Sequence, residues 1–290
     1  MLILALESSA KPASVAICSD GELLGQYFQN SGLTHSRTLL AMTESLLKNT
    51  GIDTADIGLV AVARGPGSFT GIRIGVSAAK GLACGLDIPV CGVSTLEAMA
   101  YQAPEHGVII CPVMDARREQ VYNALFTWNN DTAPDRLCGD RAISLEQLAD
   151  ELRGGAPGAS HPAPNSQLST LNSQLAGSPC LLVGDGAAIS YKYLMAAGIK
   201  CRIASGLLHW QTAYGVALAA VNAVPIPAIE LEPAYLRPSQ AERERGVSEE
   251  LGVRQLQIIC HSERNEESNS GISINHKRKI LRFAQDDNGC

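Results

Sequence analysis

The first thirty residues constrain the fold more than any other stretch. "LILALESS" reads as a short buried strand, and "ASVAICSDGELLGQYF" as two more joined at Asp20-Gly21. An Asp-Gly pair between apolar runs is a strong signal for a two-residue hairpin, because both central residues must take positive φ. Three strands therefore open the chain. "THSRTLLAMTESLLKNTG" then shows helical spacing of Leu39, Leu40, Leu46 and Leu47, with Thr34 as expected N-cap and Gly51 just past the end. "IGLVAVARG" predicts a buried strand, "SFTGIRIGVSAAKGLACGL" a helix, and "IPVCGVSTLEAMA" a strand entering a third helix through a capping box at Ser94 and Glu97. The predicted order is β-β-β-α-β-α-β-α.

A second α/β block follows in "GVIICPVMDARREQVYNALF", "LEQLADELRG", "CLLVGDGAAISYKYLMAAG" and "HWQTAYGVALAAVNA". The expected division is a first α/β domain over 1–103 and a second, smaller one over 104–242. The Gly-, Pro- and Ser-rich residues 154–179 read as a flexible insertion, and the charged residues 243–290 as a disordered tail. By analogy of element order, two such units flanking a cleft make the two-domain actin-like ATPase fold, with RNase H-like halves.

The glycine loop "ARGPGSFTGIRIG" precedes a helix, as phosphate-binding loops do. Gly65 to Gly71 lacks the lysine and hydroxyl of a P-loop, and the spacing of Gly65, Gly67 and Gly71 misses the dinucleotide fingerprint by one residue. Net charge is -6 with a pI near 5.5, so nucleic acid has no general attraction for the chain. Nine cysteines without a Cys-x-x-Cys pair read as reduced thiols, which predicts a cytoplasmic protein. The apolar start lacks a basic leader, and no 18-residue apolar run occurs, so no membrane span is expected.

Five blocks, "LALESS", "HSRTLLAM", "GPGSFTGIRIGVSAAKGLA", "PVMDARREQVY" and "LEPAYLRP", together resemble the TsaB family of bacterial tRNA threonylcarbamoyladenosine synthesis. The resemblance implies a noncatalytic dimerisation and activating subunit. Its catalytic paralogue, TsaD, transfers threonylcarbamoyl to the adenosine beside the tRNA anticodon, and an ATPase, TsaE, belongs to the same system. ATP and metal would then belong to partner subunits, tRNA would be reached through the complex, and a homodimer is an alternative for the isolated chain. The paralogue carries a metal-binding His-x-x-x-His pair where this chain reads "GVSTLEAM". Thr95 and Met99 fall at the two imidazole positions, and neither suits such an ion.

The resemblance also implies that the first two helices pair with the paralogue. Small residues Gly71, Gly75 and Ala79, with Ile72, then offer a close helix contact beside His35, Arg37 and Leu40; packing inside the domain is the competing reading. Glu7, Ser8 and Ser9 stand where actin-like ATPases place polar groups near nucleotide phosphates, and are candidates for weak nucleotide binding; a strand end satisfying its own backbone is the alternative. "DARRE" at 115–119 reads as a solvated turn with ion pairs, and Gly184-Asp185-Gly186 as a β-α loop. A different class of function remains open, an independent ATPase or kinase of this fold or a metallopeptidase.

Overall fold

The computed structural model describes residues 1–153 and 178–237. The expected insertion, apart from Ser178 and Pro179, and the expected tail lie outside the described residues.

The opening hairpin forms as the Asp-Gly pair requires. Strands β1 (Leu2–Glu7), β2 (Ala13–Ser19) and β3 (Glu22–Gln29) run antiparallel, with Ser19 opposite Glu22 and positive φ at Asp20 and Gly21. Helix α1 (His35–Thr50) leads into β4 (Ile57–Gly65), and α2 (Phe69–Leu86) into β5 (Val90–Ser94); β4 pairs parallel with β1 and β5. Gly51 closes α1 in the left-handed region, whereas the Thr34 side chain makes no cap bond. Helix α3 (Thr95–Tyr101) is capped by Ser94, whose Oγ accepts from the Glu97 backbone at 3.2 Å. The expected box is only half made, because the Glu97 carboxylate turns to Arg136 instead. The resulting sheet order is β3-β2-β1-β4-β5.

The second block repeats that order. Strands β6 (Ile109–Asp115), β7 (Gln120–Asn123) and β10 (Arg141–Ser144) are antiparallel neighbours, while β11 (Cys180–Val183) and β12 (Cys201–Ile203) add in parallel, giving β10-β7-β6-β11-β12. The short strands β8 (Phe126–Thr127) and β9 (Asp135–Arg136) pair off this path. Helix α4 (Leu145–Leu152) begins with a complete capping box at Ser144 and Gln147, and α5 (Ala187–Ala196) follows β11.

Alternation along the strands builds the layers, since successive side chains point to opposite faces. Leu4 and Leu6 of β1 face α1 and α2, whereas Ile3 and Ala5 face α3 and the helix α6 (Ala213–Val221). In the second sheet Ile110 and Met114 join that middle core, while Ile109, Cys111 and Val113 face α4 and α5. The order of layers is α1/α2, first sheet, α3/α6, second sheet, α4/α5. Helix α6, late in the sequence, packs on the first sheet through Ala213, Val216 and Ala217. The two sheets with the shared 3-2-1-4-5 order are the actin-like arrangement.

Candidate functional site

Helices α1 and α2 lie side by side on the first sheet and leave an open, mainly apolar groove of about 570 Å³ between them, lined by His35, Leu39, Leu40, Phe69, Arg73 and Ile74 among others. Arg37 is exposed and Leu40 is 51% exposed, so both are available to a partner. His35 is half-buried, its Nε2 2.8 Å from the Ala10 carbonyl oxygen. Two residues of the groove, Phe69 and Arg73, also contact Tyr235 in the strap of residues 226–237. Phe69 stacks on Tyr235 with centroids 4.5 Å apart, Arg73 lies 3.8 Å over the Phe69 ring, and its Nε donates to the Tyr235 hydroxyl at 3.0 Å. Farther along, Lys80 Nζ donates to the Leu231 carbonyl, the Ala234 amide to Arg64, and the Arg237 guanidinium to the Ala116 carbonyl, so the strap touches both halves.

The small residues expected on this surface point the other way. Gly71, Ile72, Gly75 and Ala79 are all buried against the chain's own first sheet. A Cβ on Gly71 would meet the Ser8 carbonyl oxygen at 2.1 Å, and one on Gly75 the Ser8 Oγ at 2.3 Å. Their physical task is to let α2 press onto the end of β1, where Ser8 Oγ donates to the Gly71 carbonyl at 2.9 Å. The outward face of α2 is the neighbouring stripe of Ser77, Gly81 and Gly85; nothing lies within 4 Å of a Cβ built on either glycine. Small residues recur on both faces of this helix, which is why spacing in the sequence selects the wrong one.

The glycine loop is likewise filled by protein. A Cβ on Gly65 would meet the Ala234 carbonyl oxygen at 2.2 Å, and one on Gly67 the Ser9 carbonyl oxygen at 2.4 Å; both glycines have positive φ. The loop packs tightly across the seam between the two sheets.

That seam holds the polar end of β1. Glu7, Ser8 and Ser9 are buried; Glu7 Oε1 accepts from the Ser9 amide at 2.6 Å, while Glu7 Oε2 and Ser9 Oγ have no hydrogen-bond partner. From the second half, Asp185 accepts from Gln211 Nε2 at 3.0 Å. Burial pushes the Glu7 carboxyl up to about 7, with a smaller push from Asp185. Asp185 is itself raised, first by burial and further by the charge of Asp115. The folded state therefore binds the Glu7 proton more tightly than the unfolded chain does. Its stabilising effect is complete below about pH 4.5, is lost as pH rises through about 7, and amounts to roughly 3 kcal/mol across that window. Glu7→Gln is expected to flatten this part of the stability profile and to raise the melting temperature at pH 8; chemical denaturation of both proteins from pH 4 to 8 checks it, and parallel profiles would contradict it.

Thr95 and Met99 are core residues. Thr95 is fully buried with an unpartnered Oγ1, and the Met99 sulfur would lie 3.0 Å from a Cβ on Gly184. A hydroxyl and a thioether in these positions do not fit a divalent ion, and no cluster of three His, Cys, Asp or Glu side chains forms among the described residues. Gly184-Asp185-Gly186 forms the β11-α5 loop, and "DARRE" forms the β6-β7 turn. Among the described residues the ion pairs expected in that turn do not form: neither Arg117 nor Arg118 pairs with a carboxylate there. No described helix is long and apolar enough to cross a membrane.

The profile of the family described as TsaD, tRNA N6-adenosine threonylcarbamoyltransferase, matches residues 29–229. The tRNA threonylcarbamoyladenosine biosynthesis protein TsaB of Bacillus subtilis is 38% identical over 153 residues, 53% of this chain and 66% of that protein. Its Escherichia coli namesake is 40% identical over 124 residues, 42% of this chain and 53% of that one. The matched stretch thus spans between about half and two thirds of these relatives. Among solved structures, a Pseudomonas aeruginosa protein described as similar to peptidase YeaZ superposes with a TM-score of 0.62 at 23% identity, covering 81% of this chain and 99% of that one, which supports the fold. With the profile match extending over more than half of its length, the chain belongs to the TsaD family of tRNA threonylcarbamoyladenosine biosynthesis proteins, and within that family it resembles the TsaB members.

Proposed function

We propose that this chain is a noncatalytic, cytoplasmic subunit that docks on a TsaD-type paralogue and activates it for threonylcarbamoyl transfer to the anticodon-adjacent adenosine of tRNA. The observation that carries the reading is a contrast between two faces. The α1-α2 surface is open, apolar and small-residued, whereas the seam where the paralogue would hold its metal is packed with Thr95, Met99 and the chain's own backbone. A groove of this kind accepts helices at close range. TsaE, ATP and tRNA enter through the assembled complex, and weak nucleotide contact at Glu7, Ser8 and Ser9 would be incidental to it. Nothing in the geometry favours an independent kinase, ATPase or peptidase.

The test combines two measurements with the paralogue encoded in the same genome. The purified chain alone is expected to transfer no threonylcarbamoyl to tRNA by mass spectrometry, and to raise transfer when added to the paralogue and the remaining components. Transfer by the chain alone, or no calorimetric binding between the two proteins, would overturn the proposal.

A further inference from the structure

The β6-β7 turn is built at a cost. Arg117, Arg118 and Glu119 all lie in the left-handed region, with φ of 67, 55 and 57°, and none is Gly or Asn. Side-chain-bearing residues avoid three such conformations in a row unless surrounding structure imposes them. Here the surroundings do impose them. Asp115 accepts from the Arg117 amide at 2.7 Å, the Ala116 amide donates to the Gln120 carbonyl at 3.0 Å, and the Leu145 amide to the Glu119 carbonyl at 3.2 Å. Behind the turn, Gly186 packs so closely that a Cβ would meet the Met114 carbonyl carbon at 2.9 Å, and the Arg237 guanidinium donates to the Ala116 carbonyl at 2.8 Å.

What this framework holds outward is the one Arg-Arg pair in the sequence. Both arginines are exposed and, among the described residues, without a carboxylate partner, although Asp115 and Glu119 belong to the same turn. Asp115 spends an oxygen on the turn's own backbone instead. In a chain of net charge -6, a polyanion is repelled everywhere except where cations are concentrated locally. Guanidinium groups recognise phosphate by parallel N–H bonds.

We propose that the Arg117-Arg118 turn is a contact for the phosphodiester backbone of RNA, through which this subunit itself touches tRNA in the complex. The inference rests on the docking reading above but uses a different surface from the α1-α2 groove. The turn grips phosphates without reading bases, and the strained backbone keeps the two guanidiniums apart from their own carboxylates.

The test uses the heterodimer with the TsaD-type paralogue and an unmodified tRNA transcript, with assembly established by mass photometry before RNA is added. R117E/R118E is expected to weaken tRNA binding about tenfold or more and to reduce the slope of log affinity against log salt by about 1.5, while Arg117→Lys with Arg118→Lys keeps most of that slope. Arg118→Gly should raise the melting temperature by relieving the left-handed strain and still weaken tRNA binding, a pairing that a purely structural turn would not give. Unchanged tRNA affinity and salt slope in an intact R117E/R118E heterodimer would overturn the proposal. So would a loss confined to affinity for the paralogue, which would make the turn a protein contact. Failure of the unaltered chain to assemble removes the docking reading, and this inference with it, before any RNA measurement is made.

Discussion

Gly81→Arg is expected to leave this protein folded and to cost about a hundredfold or more in affinity for the proposed TsaD-type partner. Gly81 lies on the exposed stripe of α2 with open space around its Cβ position, so the arginine side chain meets solvent in the free chain. Against a partner helix the same side chain stands where backbones must approach closely, and helix pairs packed over small residues cannot absorb it without separating. A loss of that size corresponds to about 2.7 kcal/mol, the scale of a central interface position. Calorimetry against the paralogue, with circular dichroism melting as the folding control, reads both halves. Undiminished affinity would remove the stripe of Ser77, Gly81 and Gly85 from the interface.

Gly75→Arg, six residues away on the same helix, is expected to do the opposite and destroy the fold itself. Its Cβ would stand 2.3 Å from Ser8 Oγ and 3.4 Å from Val62, beneath the helix and against β1. A charged chain has no route to water from there, and the combined overpacking and desolvation are expected to cost about 3 kcal/mol or more, a large share of a domain's stability. Thermal melting and soluble yield measure it. A folded Gly75→Arg protein that merely loses its partner would return Gly75 to the interface.

The contrast between these two glycines shows how far the sequence reaches. Element order was legible throughout the first ninety residues, because Asp20-Gly21 permits only a tight hairpin and because strand and helix alternate with clear changes of period. That Thr95 and Met99 are poor ligands for a divalent ion was also legible, since ligand chemistry belongs to residue type. Face was harder. Helix α2 carries small residues almost all round, so helical spacing offers Gly71-Gly75-Ala79 and Ser77-Gly81-Gly85 as equal stripes, and only the position of Ser8, just past the end of β1, decides between them.

Other features had no local signal at all. The strap from Val90's partner Ile226 to Arg237 is fixed by bonds to Lys80, Arg64 and Ala116, residues more than a hundred positions away in sequence. Three successive left-handed residues in "DARRE" contradict local preference, since Arg and Glu favour right-handed backbone, and are sustained by Asp115, Leu145 and the β11-α5 loop pressing from behind. The raised Glu7 carboxyl follows from burial and from Asp185 in the other half. By itself the sequence determined the element order of the first block and which side-chain chemistry each element carries, because propensity, turn geometry and ligand type are local. The tertiary structure alone decided which face of α2 meets solvent, what fills the glycine loop and which arginines stay unpaired, because those depend on atoms that only folding brings together.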